Sequence, residues 1–226
     1  MNYLDYLRTD KFPHFWCSGC GNGIVLCAIA RAFEELDLTL ENTVVVTGIG
    51  CWGKADDYVR TNSFHGTHGR ALAFATGIKL ANPSLNVVVL MGDGDGITIG
   101  GNHFIHAARR NVDVTAILVN NFNYGMTGGQ YSGTTPEERI TTTSRYGHIE
   151  EGFDICAVAK AAGARYVARA STENPQQLKN LIRDGIKKQG FACIEAISPC
   201  PTHFGRNNGM RSPAALMRWV NENSVT

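Results

Sequence analysis

Four cysteines stand in glycine- or proline-rich turns: Cys17 and Cys20 in CSGCGNG, Cys51 in GIGCWGK and Cys200 in SPCPT. Such turns expose backbone N–H groups and let thiolates converge on one point. The other three of the seven cysteines, Cys27 in IVLCAIA, Cys156 in FDICAVA and Cys193 in GFACIEAI, read as small apolar core residues. Seven is an odd number and the N-terminus, MNYLDYLRTDKFPHF, is not a secretion signal, so a disulfide framework is not expected. A single CxxC fits a redox pair or half of a zinc site. One CxxC plus two distant cysteines fits an iron–sulfur cluster at least as well as zinc. On spacing alone, an iron–sulfur site, a zinc site and plain structural cysteines stay equally open.

A second constellation is MGDGDGITIGGNHFIHAARR, which follows an apolar run and opens a helical pattern. It is not a dinucleotide-binding fingerprint, because no G-x-G-x-x-G/A occurs there, and it lacks the Gly-Lys-Ser/Thr ending of a P-loop. It offers instead a carboxylate, Asp93, at the end of one predicted strand, while the next predicted strand ends in Asn120-Asn121. Asp93 and Asn121 are hard oxygen ligands suited to Mg²⁺. With a backbone carbonyl and two phosphate oxygens they would complete a diphosphate site. Taken singly, Asp93 reads as a helix cap and Asn121 as a turn residue; as a pair at successive strand ends they favour a cation.

The elements that must position these residues alternate. Near-continuously apolar runs over 43–49, 86–92, 114–120, 164–170 and 192–198 read as parallel strands covered on both faces. Helical patterns fill 23–36, 69–81, 101–110, 154–164 and 174–190. The last starts on Asn174 as N-cap with Pro175 at the first position, and Gly190 suits its stop. The expected fold is α/β: a doubly wound, mostly parallel sheet with helices on both faces, forming one domain over 1–226 with a C-terminal tail from about 200. In such sheets ligands bind beyond the carboxyl ends of the strands, where the glycine-rich sequences cluster. The stretch from Asn121 to Gly152 has few strand or helix signals, and loops of that length are usually functional. The tail, with Arg206, Arg211 and Arg218, either packs on a partner or forms a solvated helix.

Composition excludes other classes. A net charge of +1 over 226 residues gives no reason to expect nucleic acid or an anionic membrane, and no apolar run approaches a membrane span. A cytoplasmic protein is expected. The 25 glycines mark many sharp turns or close approaches of backbone to ligand.

GDG followed by 25 residues and NN resembles the signature of thiamine diphosphate enzymes. The whole chain, from FWCSGCGNG to SPCPTHFG, resembles the β subunit of 2-oxoacid:ferredoxin oxidoreductases, most of all the 2-oxoglutarate type (2-oxoglutarate synthase). GIGCWGK, HGTHGRALAFATGIK, GDGDGITIGGNHFIHAARRN and NNFNYGMTGGQYSGTTP are family-like blocks in the family's order.

The resemblance implies that Cys17, Cys20, Cys51 and Cys200 ligate one 4Fe–4S cluster, and that Asp93, Asn121 and the Asn123 carbonyl bind Mg²⁺. Ile49, Gly50, Cys51, Trp52, His68, Gly92, Gly94, Asp95, Tyr124, Gly125 and Met126 would line thiamine diphosphate. Lys54 is a candidate for holding a substrate carboxylate, with a solvated lysine as the alternative; His68 is placed with it in the catalytic group, and His65 reads as structural.

The implied reaction is oxidative decarboxylation of 2-oxoglutarate to succinyl-CoA and CO2, reversible, with electrons passing to ferredoxin. It also implies an α subunit carrying the pyrimidine-binding domain, with γ and ferredoxin-like δ subunits as further candidates. Rivals are the same chemistry on pyruvate or a branched-chain 2-oxoacid, a non-redox thiamine decarboxylase subunit, and a zinc-binding interaction module.

Overall fold

In the computed structural model, residues 1–224 are described, so the last two residues of the predicted tail lie outside the described residues. Six strands form one sheet: β1 (Thr43–Thr47), β2 (Asn62–His65), β3 (Asn86–Gly92), β4 (Thr115–Asn120), β5 (Tyr166–Ser171) and β6 (Ala192–Ile197). Their order is β2-β1-β3-β4-β6-β5, and every pairing is parallel. The helices are α1 (Asn22–Glu35), α2 (Ala71–Ala81), α3 (Gly101–Arg109), α4 (Ile155–Ala161), α5 (Pro175–Lys187) and α6 (Pro213–Glu222).

Strand period 2 sends alternate residues to opposite faces. Val45, Val88, Leu90, Ile117 and Ile194 enter the core under α1 and α5. Val44, Val46, Val89, Met91, Ala116, Leu118 and Cys193 enter the core under α2, α3 and α4. Two covered faces explain why the strands read as continuous apolar runs. Among the described residues no helix is long and apolar enough to cross a membrane.

Several expected boundaries move. The run 43–49 stays in the sheet only to Thr47, because Gly48 and Ile49 turn out of it toward a 3₁₀ segment, Trp52–Tyr58. The helix expected over 154–164 ends at Ala161, and Gly163 (φ +97°) turns the chain into β5. Gly190 does not cap α5, which ends at Lys187. Its φ of +98° and its N–H bond to Asp113 Oδ1 (2.8 Å) serve the turn into β6 instead.

Two elements lacked a readable signal. β2 is a four-residue edge strand with every residue exposed, so it has no apolar pattern. The tail forms α6, an amphipathic helix whose inner face packs on the chain while Arg206, Arg211 and Arg218 stay exposed. Leu216 and Val220 are buried, and Trp219 stacks on Phe204 and Phe122 at centroid distances of 5.4 and 5.8 Å.

Asn174 caps α5 as expected, its side chain accepting from the Gln177 N–H at 3.0 Å. Asn174→Ala should lower stability by about 1 kcal/mol, and Asn174→Asp should retain most of it. Urea midpoints of the three proteins check this.

Candidate functional site

The strand order reverses about β1: β2 lies on one side and β3 on the other. Crevices at such switch points, beyond the carboxyl ends of the strands, are where open α/β sheets take ligands. Here the loop after β1 and the turn after β3 face each other across a cleft. Its walls are Ile49, Gly50, Cys51, Trp52, His68, Gly92, Asp93, Gly94, Asp95, Asn121, Asn123, Tyr124, Gly125, Met126 and Thr127. Every residue that the resemblance placed along thiamine diphosphate or Mg²⁺ is among them, Thr127 is added, and of the four cluster cysteines only Cys51 is included.

Glycine makes the approach possible. A Cβ on Gly48 would overlap the Asp95 carboxylate, and Gly50 holds φ +108°, a conformation L side chains rarely adopt. Gly94 takes the ring of Tyr124 where a Cβ would stand, and the Tyr124 hydroxyl donates to the Gly94 carbonyl at 3.3 Å.

Beyond Gly92 the chain enters a π-helical turn, Gly94–Ile99, a geometry concentrated at functional sites. Asp93 is 1% exposed. Its Oδ2 accepts from Ser132 Oγ (2.5 Å) and Thr134 Oγ1 (2.7 Å), and its Oδ1 accepts from the Asn121 N–H (3.3 Å). Asp93 therefore makes no side-chain cap to the helix that follows. Burial pushes its carboxyl above the ordinary range, against these hydrogen bonds. Asn121 does close a turn, its Oδ1 accepting from the Asn123 N–H at 3.1 Å, and the same residue stands at the cleft wall.

Asp95 Oδ1 accepts from the Gly69 N–H (2.7 Å) and His68 Nδ1 (2.5 Å). An ionised acceptor there keeps the proton on Nδ1 and leaves Nε2 as the basic nitrogen. Asp95 Oδ2 and both amide atoms of Asn123 are buried without a partner. Buried polar atoms are rarely left so, and three at one cleft point to a polar ligand.

The four turn cysteines meet beside this cleft. Cys20 N–H donates to the Cys17 carbonyl (3.0 Å), and Cys200 N–H to the Asn121 carbonyl (3.2 Å). Burial pushes the Cys20 thiol up to about 12, with smaller contributions from Cys200, Cys51 and Cys17. Cys51 rises to about 11, again by burial and then by Cys200 and Cys17. A Cβ on Gly125 would lie 3.6 Å from Cys51 Sγ, 3.7 Å from Cys200 Sγ and 3.4 Å from Asn123 Oδ1. Cys51 is thus shared by the cleft wall and the thiol group, and Gly125 leaves room for Cys51 and Cys200 beside Asn123.

Tetrahedral zinc would draw four sulfurs to about 3.8 Å of one another, from a Zn–S length of ~2.3 Å. Among the described residues, the only three His, Cys, Asp or Glu ligand atoms mutually within 4.8 Å belong to Asp154, Cys156 and Glu195. No three of the four turn thiols lie that close together.

A family model described as "Thiamine pyrophosphate enzyme, C-terminal TPP binding domain" matches residues 47–196. The chain is 54% identical over 223 residues to "2-oxoglutarate synthase subunit KorB" of Methanothermobacter marburgensis, covering 99% of this chain and 78% of that one. It belongs to this family of thiamine pyrophosphate enzyme subunits. The Methanocaldococcus jannaschii KorB is 53% identical over 98% of the chain and 82% of its own length. The solved 2-oxoglutarate:ferredoxin oxidoreductase from Magnetococcus marinus, with 2-oxoglutarate, coenzyme A and succinyl-CoA bound, superposes with a TM-score of 0.86. It is 40% identical, and the match covers 89% of this chain and 69% of that one. The chain is accordingly a subunit of an oxidoreductase and carries a thiamine pyrophosphate-binding domain.

Some expected placements differ. Lys54 stands outside the cleft wall and pairs with Asp57 at 2.6 Å, which holds its ammonium above the ordinary range. His65 lies outside the cleft wall, as a structural reading of it expects, its Nδ1 3.0 Å from Thr47 Oγ1 and 2.9 Å from Asp56 Oδ2. Of the three cysteines read as core, only Cys193 is fully buried. Cys27 and Cys156 are half-buried, because their helices lie on the outer layers; Cys156 Sγ meets Glu195 Oε2 at 3.4 Å.

Ser132, Thr134 and the pairing of the buried Glu195 with Asn120 and the exposed Arg169 escaped sequence reading. Hydroxyls in a loop and one charge inside an apolar strand carry no spacing signal. A cavity of about 510 Å³ borders Arg169, Glu195 and Trp219, larger than the cleft at about 80 Å³. Arg169 on its wall pairs with Glu195 (2.7 Å) and Asp154 (2.5 Å), while Glu137 and Glu151 also line it.

Because burial holds these thiols neutral, alkylation of Cys20 and Cys51 in metal-free protein should be slow at pH 8 and accelerate toward pH 11–12. Peptide mapping after iodoacetamide at a series of pH values checks this.

Proposed function

We propose that the chain is the β subunit of a 2-oxoglutarate:ferredoxin oxidoreductase. It would form succinyl-CoA and CO2 from 2-oxoglutarate and coenzyme A, and pass two electrons through its own 4Fe–4S cluster to ferredoxin. The observation that carries this reading is the convergence of four thiols and the Asp93, Asn121 and Asn123 oxygens on one cleft, in a chain 54% identical to a 2-oxoglutarate synthase subunit.

The residues fit the groups. Asp93 and the amide of Asn121, with the Asn123 carbonyl, form an all-oxygen set suited to Mg²⁺. The unpartnered Asp95 Oδ2 and Asn123 amide supply polar contacts for a bound cofactor. Cys17, Cys20, Cys51 and Cys200 lie near enough to raise one another's thiol pKa values, as a four-thiolate cluster site requires. When bound, thiamine diphosphate supplies an electron sink for decarboxylation. The chain's part is to hold the diphosphate end through the cation, to fix His68 in one tautomer through Asp95, and to keep the cluster thiols beside the cleft. Buried thiols pushed to about 11 and 12 need a metal to displace their protons. Lys54 is proposed as a substrate-carboxylate contact once its Asp57 pair opens.

The cleft, at about 80 Å³, lies far below the ~300–1,000 Å³ of ligand pockets. It is therefore read as one wall of a site, with the pyrimidine-binding wall on a separate α subunit and γ or ferredoxin-like δ subunits as further partners. Residues 1–226 are read as one domain. Seven free cysteines suit a reducing compartment, and a cytoplasmic location follows in this reading.

Cys51→Ser and Cys200→Ser should each remove the cluster's visible absorbance and lower iron content in anaerobically purified protein, while Cys193→Ala should leave both in place. Turnover, followed as 2-oxoglutarate-dependent viologen reduction, should require the α subunit. A panel of pyruvate, branched-chain 2-oxoacids and 2-oxoglutarate should show highest kcat/KM for 2-oxoglutarate. Turnover by the isolated chain would refute the two-subunit reading.

A further inference from the structure

The loop 127–136 reaches across the cleft floor and ends on Asp93. Both of its hydroxyls there, Ser132 Oγ at 2.5 Å and Thr134 Oγ1 at 2.7 Å, meet the same carboxylate oxygen, Oδ2. Oδ1 receives only the Asn121 N–H, at a long 3.3 Å. A carboxylate oxygen accepts about two hydrogen bonds. Both hydroxyls therefore crowd Oδ2, with the single Thr134 hydrogen shared between it and Asn120 Oδ1, and Oδ1 keeps the greater free capacity.

The hydroxyls are themselves held. Thr134 Oγ1 lies 3.0 Å from Asn120 Oδ1; the Asn120 amide also accepts from the Phe122 N–H (3.2 Å) and donates Nδ2 to Glu195 Oε1 (2.8 Å). Glu195, 1% exposed, is anchored in turn by Arg169. These residues sit on three adjacent strands, β4, β6 and β5. The loop backbone is pinned independently: Ser132 N–H to Thr135 Oγ1 (2.9 Å), Gly133 N–H to Thr98 Oγ1 (2.9 Å) and Thr135 Oγ1 to the Phe122 carbonyl (2.7 Å). This is more restraint than burying one carboxylate requires.

We propose that Ser132 and Thr134 are positioning residues for Asp93, occupying Oδ2 so that Oδ1 alone is presented to a divalent cation. The inference rests on the reading of Asp93 as a cation ligand. Outer-shell partners of metal ligands affect affinity by about 10–100-fold when removed, and these two act on a single oxygen.

The test is calorimetric titration of the α–β complex with thiamine diphosphate across a Mg²⁺ series, with a urea midpoint for each variant. Ser132→Ala and Thr134→Val should each raise the Mg²⁺ concentration for half-maximal binding by about 10-fold or more. Thr134→Ser, which keeps the hydroxyl, should restore most of it. An unchanged Mg²⁺ requirement in Ser132→Ala and Thr134→Val, with or without a lower urea midpoint, would overturn the proposal and leave only a structural role. If Thr134→Val fails to assemble, Ser132→Ala and Thr134→Ser carry the comparison. Asp93→Asn distinguishes the underlying reading: an unchanged Mg²⁺ requirement there would overturn the cation-ligand assignment itself, and the positioning role with it.

Discussion

A carboxylate with 1% exposure at the end of a central strand is the constraint around which the site is organised. An ionised group removed from water must be given donors or a cation. Asp93 receives one N–H from the end of β4 and two hydroxyls from the loop beyond it. The long connection from Asn121 to Gly152 therefore has a physical reason. It must leave β4, supply Tyr124 and Gly125 to the cleft, return to Asp93 with Ser132 and Thr134, and then start α4 on the other side of the sheet.

The four thiols pose a similar problem with a different solution. They come from an N-terminal turn, the end of β1 and the end of β6, and burial raises Cys20 and Cys51 far above neutrality. Nothing in the apolar surroundings compensates a thiolate. Backbone N–H groups help locally, such as that of His203 aimed at Cys200 Sγ at 3.4 Å. Both halves of the site thus place groups whose charged forms burial disfavours. Gly125 lies where they meet, beside Cys51 Sγ, Cys200 Sγ and Asn123 Oδ1.

Much of this was legible before folding. Five apolar runs announced five of six strands, since both faces of each central strand are covered. The Asn174-Pro175 start of α5 was readable because a cap is a local hydrogen bond. The four cysteines separated from the other three by their Gly and Pro neighbours. What escaped had no local signal. β2 is short, polar and exposed. α6 is held by Trp219 against Phe122 and Phe204, a contact across almost one hundred residues of chain. Gly190 looked like a helix stop, and its φ of +98° was spent on the next turn.

The sequence by itself determined the residue types of the site and the strand ends from which they project, because strand and helix periodicity are local properties and turn residues mark where they stop. Only the tertiary structure decided which oxygen of Asp93 is occupied, that Asp95 and not solvent holds His68, that Lys54 pairs with Asp57, and that Asn120 turns inward to Glu195 while Asn121 faces the cleft. Those choices depend on neighbours brought together by the order β1-β3-β4-β6, and hydrogen-bond geometry between distant segments leaves no spacing in the chain from which to read it.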